Sequence, residues 1–210
     1  MPGRADGRRI PGALGLAREA HLAKLFIGFE SVNPGNRKEL AGKGRGEAAG
    51  YAEVVKQIHK HGIGVVALFV FGFDGDTPQT FQAGWDFIRS SDLDGVSVTI
   101  LTPYPGTVQR QELLAAGRIL LPQGATLWER YDTNHVTYVP AQMSVEELAG
   151  GYDGLCRKIT HPARIVEDPV RAGRGFRAWT RHPVPRMPSR LITSFSTDIG
   201  YRREFNHRLS

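Results

Sequence analysis

Glu30 and Ser31 stand directly behind the apolar run Leu25-Phe26-Ile27-Gly28-Phe29. Four apolar residues around one glycine, with no charge among them, predict a strand buried on both faces, as in a parallel sheet. In parallel α/β folds ligands bind at strand ends, so a carboxylate and a hydroxyl there are candidate ligand contacts. A carboxylate ending a buried strand must meet water, a cation or a hydroxyl-rich ligand. A ribose diol suits Glu30 as an acceptor, as in other nucleotide sites; helix capping or a salt bridge is the structural alternative. Two further apolar runs end the same way. Ile63 to Phe73 leads into Asp74-Gly75-Asp76-Thr77, and Val96 to Leu101 leads into Thr102-Pro103-Tyr104-Pro105-Gly106-Thr107. Three polar strand tips together predict one wall of an active site.

Each remaining candidate has a chemical and a structural reading. Asp74-Gly75-Asp76 resembles a divalent-cation loop but lacks the further ligands and distal Glu of an EF-hand. A turn is the expectation, with Asp76 or Thr77 capping the next helix and Gly72 allowing backbone close to a ligand. Lys43 and Arg45, among Gly42, Gly44 and Gly46, could meet a carboxylate or phosphate, but the spacing is not that of a Walker loop. Solvated charges are the alternative. Tyr104, stiffened by two prolines, either stacks on a base or substrate or packs internally. His135 beside Tyr131 and Asp132 invites general-base chemistry, with a structural histidine in an aromatic cluster as the expected reading. His59 and His61 suit a helix C-terminus. Cys156, the single cysteine, excludes an internal disulfide framework and is expected to be an inert buried thiol.

These residues need elements to place them. Ala13 to Ala23 predicts a helix before the first strand, and Asn33 to Gly46 a glycine-rich polar loop. Glu47 to His61 carries apolar residues at 51, 54, 55 and 58, one helical face, and stops at Gly62. Thr77 and Pro78 form a helix start, and Phe81, Gly84, Trp85 and Ile88 its buried stripe. A further helix spans Val108 to Ala116. This alternation predicts a (β/α) barrel or open α/β sheet, with strand, helix and strand forming a right-handed crossover. Only three strands are evident, so a barrel would be partial. Arg118 to Pro140 is irregular and aromatic, and Ser144 with Glu147 opens a helix running to about Ile159.

The chain has 210 residues, 40% hydrophobic and 23% charged, which fits a soluble globular protein with a core. No apolar run approaches the roughly 20 residues that span a bilayer. The basic N-terminus makes a poor signal peptide, so a cytoplasmic location is expected. The net charge of +6 resides in the last 50 residues, which hold ten arginines, no lysine, four acidic residues and five prolines. That segment reads as a solvated basic appendage or as a weak membrane-surface contact through Trp179, Phe176, Leu191, Ile192 and Phe195. It carries no nucleic-acid motif.

Taken in order, these blocks resemble the radical SAM superfamily, in particular its cobalamin-binding type with a C-terminal region after the barrel. The resemblance rests on Leu25 to Ser31, Lys43, His59-Lys60-His61-Gly62-Ile63, Phe69 to Asp76, Ile100 to Thr107, Gly117-Arg118-Ile119, Trp128, Tyr131-Asp132, His135, Pro140 and Met143-Ser144. It covers about residues 20 to 160. It implies the last three strands of a six-stranded partial barrel over residues 1–116, a post-barrel extension over 117–160, and a basic tail over 161–210. It also implies an S-adenosylmethionine (SAM) pocket. Glu30 and Ser31 would lie near the ribose or amino-acid part, Lys43 nearby, and the turn of Gly72, Phe73, Asp74 and Asp76 at the adenine. Leu101, Thr102 and Tyr104 would close the far side.

The family's 4Fe–4S cluster needs a CxxxCxxC loop, which this sequence lacks, and its cobalamin domain is also missing. The expectation is a C-terminal fragment of a radical SAM enzyme, with the N-terminal half of the barrel supplied in cis or trans. It would bind SAM and form part of the wall for a small, lipid-like substrate. Methyl transfer is the common reaction of the cobalamin type, and the chain alone is expected not to catalyse it. Two rival readings stand beside this one. An unrelated barrel enzyme would use Glu30 and Asp74 as an acid/base pair, and a non-catalytic module would bind a nucleotide or partner.

Overall fold

The computed structural model describes residues 10–36, 48–120 and 127–161. Lys43, Arg45 and the basic tail lie outside the described residues. The order of elements is α1 (Ile10–Glu19), β1 (Lys24–Glu30), α2 (Ala48–Lys60), β2 (Gly64–Phe71), α3 (Pro78–Ser90), β3 (Gly95–Ile100), α4 (Val108–Ala115), a 3-10 turn (Leu127–Arg130) and α5 (Val145–Thr160). The three strands form one parallel sheet in the order β1-β2-β3. The architecture is α/β, with sequential strands lying side by side and helices between them.

Local chemistry sets most boundaries. Helix α2 ends where Gly62 takes φ of 75°. The amides of Gly62 and Ile63 then reach back to the carbonyls of His59 (2.9 Å) and Ile58 (3.4 Å), the paired bonds of a Schellman cap. Helix α1 stops by the same device earlier than expected, at Glu19 rather than Ala23. His21 adopts φ of 57°, and Leu22 donates to Ala17 at 2.9 Å. A histidine in the glycine position hid that stop in the sequence. Thr77 and Pro78 start α3, with the Thr77 amide donating to Thr80 Oγ1 at 3.0 Å. Ser144 and Glu147 cap α5 reciprocally, at 3.0 and 2.7 Å.

Register divides the sheet into two unlike faces. On one, Val65, Ala67, Phe69 and Phe71 of β2 lie beside Val96, Val98 and Ile100 of β3, and all are buried. Val55 and Ile58 of α2, Ile88 of α3, and Leu148, Tyr152 and Leu155 of α5 join the same core. Helix α5 packs on both α3 and β3, so the segment after the strands completes the helix layer. Glycine permits the tight contacts: a Cβ at Gly84 would sit 2.9 Å from the Phe71 ring.

The other face is open. Phe26, Gly28 and Glu30 of β1 are exposed, and Leu68, Val70, Ser97 and Thr99 are half-buried. This corrects the expectation that β1 is buried on both faces. Among the described residues β1 lies at the edge of the sheet, and Phe26 is 64% exposed. Its unbroken apolar run reflects Phe26 on a face left open among the described residues.

Candidate functional site

Because the sheet is parallel, the ends of all three strands lie on one side. Strand β1 finishes with a register shift between Gly28 and Glu30. Glu30 itself has φ of 61°, a left-handed conformation that costs a non-glycine residue about 1–2 kcal/mol. Its side chain folds back so that the carboxylate occupies the space a side chain at Gly28 would need. The result is an exposed carboxylate held over the open face at the strand tip. Backbone strain at such a place is a frequent mark of a functional residue.

Ser31 is placed differently. It is buried, and its oxygen accepts from the Asn33 amide at 3.1 Å and from Asn36 Nδ2 at 3.2 Å. Asn36, also buried, donates to Asp76 Oδ1 at 2.6 Å. The other Asp76 oxygen accepts the amides of Gly72 (2.9 Å) and Phe73 (3.1 Å). Asn33 adds a bond to the Gly75 carbonyl at 2.5 Å. A buried polar network therefore joins the tips of β1 and β2, with each oxygen of Asp76 engaged. Burial pushes the Asp76 carboxyl above its ordinary range, against the lowering effect of the Gly72, Asn36, Phe73 and Asn33 donors. Asp76 shapes the turn and leaves the helix start to Thr77.

Gly72 has φ of 103°. Its carbonyl accepts the Tyr138 hydroxyl, and that hydroxyl and Leu148 fill the space beside its α-carbon. The close approach expected of Gly72 is thus made to Tyr138. Burial, with the Asp76 and Asp74 carboxylates nearby, drives the Tyr138 phenol strongly upward, so it serves as a neutral donor. Asp74 is exposed and holds Arg118 through two bonds of 2.9 and 2.6 Å. Both its oxygens are engaged, which weakens the reading of Asp74 as acid/base partner to Glu30.

At the tip of β3, Leu101 continues the pairing by donating to Phe71 at 2.8 Å. Thr102 is buried, with its hydroxyl on the Ile100 carbonyl at 3.1 Å. Tyr104 is exposed and reaches the Tyr131 carbonyl at 3.2 Å. His135 Nδ1 contacts both Asp132 oxygens at 2.9 Å. Burial raises the Asp132 carboxyl, but the His135 ring and the amides of Asn134 and His135 outweigh it and hold it below the ordinary range. Residue 133 fastens this loop to β3, its carbonyl accepting from Ile100 at 2.6 Å. His59 lies at the opposite end of the sheet, 2.6 Å from Asp94, which also accepts the Val65 amide at 2.7 Å. His61 binds the Gln57 carbonyl at 2.9 Å. Both histidines close helix α2 away from the strand tips.

Glu30, the Gly72–Asp76 turn and the Leu101–Tyr104 segment therefore share one end of the sheet. The structure adds Asn33, Asn36, Arg118 and Tyr138 to the residues that the sequence marks at the strand tips. The Asn33-Pro34-Gly35 turn was the available signal, since Asn33 Oδ1 caps the Gly35 amide at 2.9 Å. Among the described residues no group of three or more His, Cys, Asp or Glu could hold a metal. Cys156 is buried in α5. Among the described residues none therefore fits a 4Fe–4S cluster.

No family model matches the chain. It is 32% identical over 157 residues to the bacteriochlorophyllide d C-12(1)-methyltransferase of Chlorobaculum tepidum, covering 75% of this chain and 33% of that protein. It is 31% identical to the hopanoid C-2 methylase of Rhodopseudomonas palustris, over 52% of this chain and 21% of the methylase. An uncharacterized methyltransferase of Pyrococcus horikoshii is also 31% identical, over 55% of this chain and 24% of its own length. The chain spans about a third or less of the curated relatives it matches. Over that shared part, it is related to methyltransferases.

Proposed function

We propose that the chain is the C-terminal part of a radical SAM methyltransferase and that its three strand tips form one side of the SAM pocket. The observation that carries this reading is the strained Glu30, whose exposed carboxylate lies over the open sheet face beside the turn built by Asp76. Such a carboxylate accepts well from a ribose diol. The glycine-containing turn offers backbone to the adenine, and Tyr104 offers an exposed ring. The relationship to methyltransferases supports SAM as the ligand.

SAM, when bound, supplies a methyl group or, on reductive cleavage, a 5′-deoxyadenosyl radical. In this proposal Glu30 binds and orients the ribose, while the Ser31–Asn36–Asp76 network fixes the distance between the first two tips. The half-open sheet receives the remainder of the barrel, in the same polypeptide or another one. Cluster and cobalamin would be held there. The acceptor would be a large, rigid, mainly apolar polycycle, in keeping with the bacteriochlorophyllide and hopanoid in the relatives' names.

Titration of the chain with SAM and with 5′-deoxyadenosine, with products analysed by chromatography, tests the reading. Binding without SAM cleavage is expected. Cleavage by the isolated chain, or failure to bind either ligand, would contradict it.

A further inference from the structure

Bordering the SAM pocket, with which it shares Tyr104, the chain after β3 carries a second concentration of recognition chemistry. Arg110 of α4 lies with its guanidinium carbon 5.8 Å from the Trp128 ring centre and 5.5 Å from that of Tyr131. Tyr131 is flanked by Trp128 and Tyr104, with ring centres 5.1 and 6.3 Å away. The ring pairs are tilted by 50° and 54°, so they present both faces and edges. Tyr104 is 44% exposed and Trp128 is 58% exposed. A cluster serving only to pack would bury such rings, because each offers a large apolar area.

The guanidinium is also only partly used. Arg110 Nη1 donates to the Pro103 carbonyl at 3.1 Å and to the Tyr131 hydroxyl at 2.5 Å, both neutral acceptors. Among the described residues no carboxylate pairs with Arg110, whereas Arg118 is paired with Asp74 through both terminal nitrogens. Arg110 is thus held in place by one nitrogen and retains its charge and remaining donors. Guanidinium groups in this state favour a carboxylate, which can accept two parallel bonds.

From this geometry we infer that Tyr104, Arg110, Trp128 and Tyr131 form a binding site for a flat conjugated macrocycle that bears a carboxylate. Aromatic rings and a guanidinium stack well on a π-system, and the carboxylate answers the charge. A saturated, neutral polycycle would cover Arg110 without pairing it, and burying an unpaired charge is unfavourable. The site follows directly from the β3 tip, on the side of the sheet assigned above to SAM. Its role in choosing the methyl acceptor rests on the proposed function; its ligand chemistry stands on the cluster itself.

The 210-residue chain titrated with metal-free mesoporphyrin IX, read by the shift of its Soret band, tests the site. The same titration uses mesoporphyrin dimethyl ester, and cholate serves as a saturated carboxylated competitor. Mesoporphyrin is expected to bind, with the ester and cholate each weaker by about tenfold or more. Arg110→Gln and Trp128→Leu should each weaken mesoporphyrin about tenfold. Trp128 is exposed, so its variant reads the site even where Arg110→Gln impairs folding. Equal affinity for acid and ester, no binding of mesoporphyrin, or indifference to both substitutions would overturn the inference. SAM titration of the same samples separates the two readings. Intact SAM binding with no macrocycle binding removes the site alone. Macrocycle binding without SAM binding removes the methyltransferase role and upholds the site.

Discussion

Asn36 donates its side-chain amide to the carboxylate of Asp76 at 2.6 Å, across 40 residues of sequence and out of contact with solvent. This bond ties the segment leaving β1 to the turn leaving β2. Replacing Asn36 with Ala removes a buried donor and leaves one carboxylate oxygen without it. A loss of about 1–3 kcal/mol in unfolding free energy is expected. Urea denaturation of the two proteins measures it, and a change near zero would show that the two tips are joined by other means.

The same carboxylate makes stability depend on pH. Burial raises Asp76 above its ordinary value of 3.8, so folding favours its protonated form. Its contribution is full below that value and is lost as pH rises through the raised one. The wild type should therefore lose stability relative to Asp76→Asn as pH rises from below 3.8 through the raised value. Denaturation midpoints across that range check the sign; a difference that ran the opposite way would mean the native network lowers the carboxyl.

Strain at Glu30 should separate stability from binding. Glu30→Gly removes the left-handed penalty and should raise stability by up to about 1 kcal/mol while abolishing the ligand contact. Gly28→Ala should do little harm to folding, because its Cβ would meet only the end of the Glu30 side chain, yet it should displace the carboxylate and weaken SAM by about tenfold. Thermal melts paired with SAM titration would detect this opposition. Parallel effects on both properties would argue that Glu30 is simply structural.

Much of the fold was legible because its signals are local. Gly62, the Thr77-Pro78 pair and the Ser144/Glu147 box each mark a helix boundary in the sequence and form the expected bonds in the structure. The exposure of β1 was not legible, since an apolar run has the same composition whether or not its second face is covered. Nor was the Asn33–Asn36–Asp76 network. Polar residues in loops show no periodicity, and partners far apart in sequence leave no local trace. The strand tips could be recognised as polar, but which side chains face outward was decided by the bulge at Glu30 and by the pairing of Asp74 with Arg118.

Gly72 offers a test of packing at the site. A side chain there would meet Tyr138 and Leu148 and would also have to accept φ of 103°. Gly72→Ala should cost at least about 2 kcal/mol. Tyr138→Phe, which leaves the Gly72 carbonyl without its donor, should cost about 1–3 kcal/mol. Chemical denaturation would measure both, and tolerance of Gly72→Ala would mean that the turn has room for a side chain.

In the proposed function Glu30 is the SAM contact among the described residues. Calorimetric titration of SAM into the wild type and Glu30→Gln, in the same buffer, tests it most directly. Measurable binding by the wild type is expected, with an affinity about tenfold lower for the variant, since an amide replaces one acceptor oxygen with a donor. Equal affinity in the two proteins, or no binding by the wild type, would contradict it.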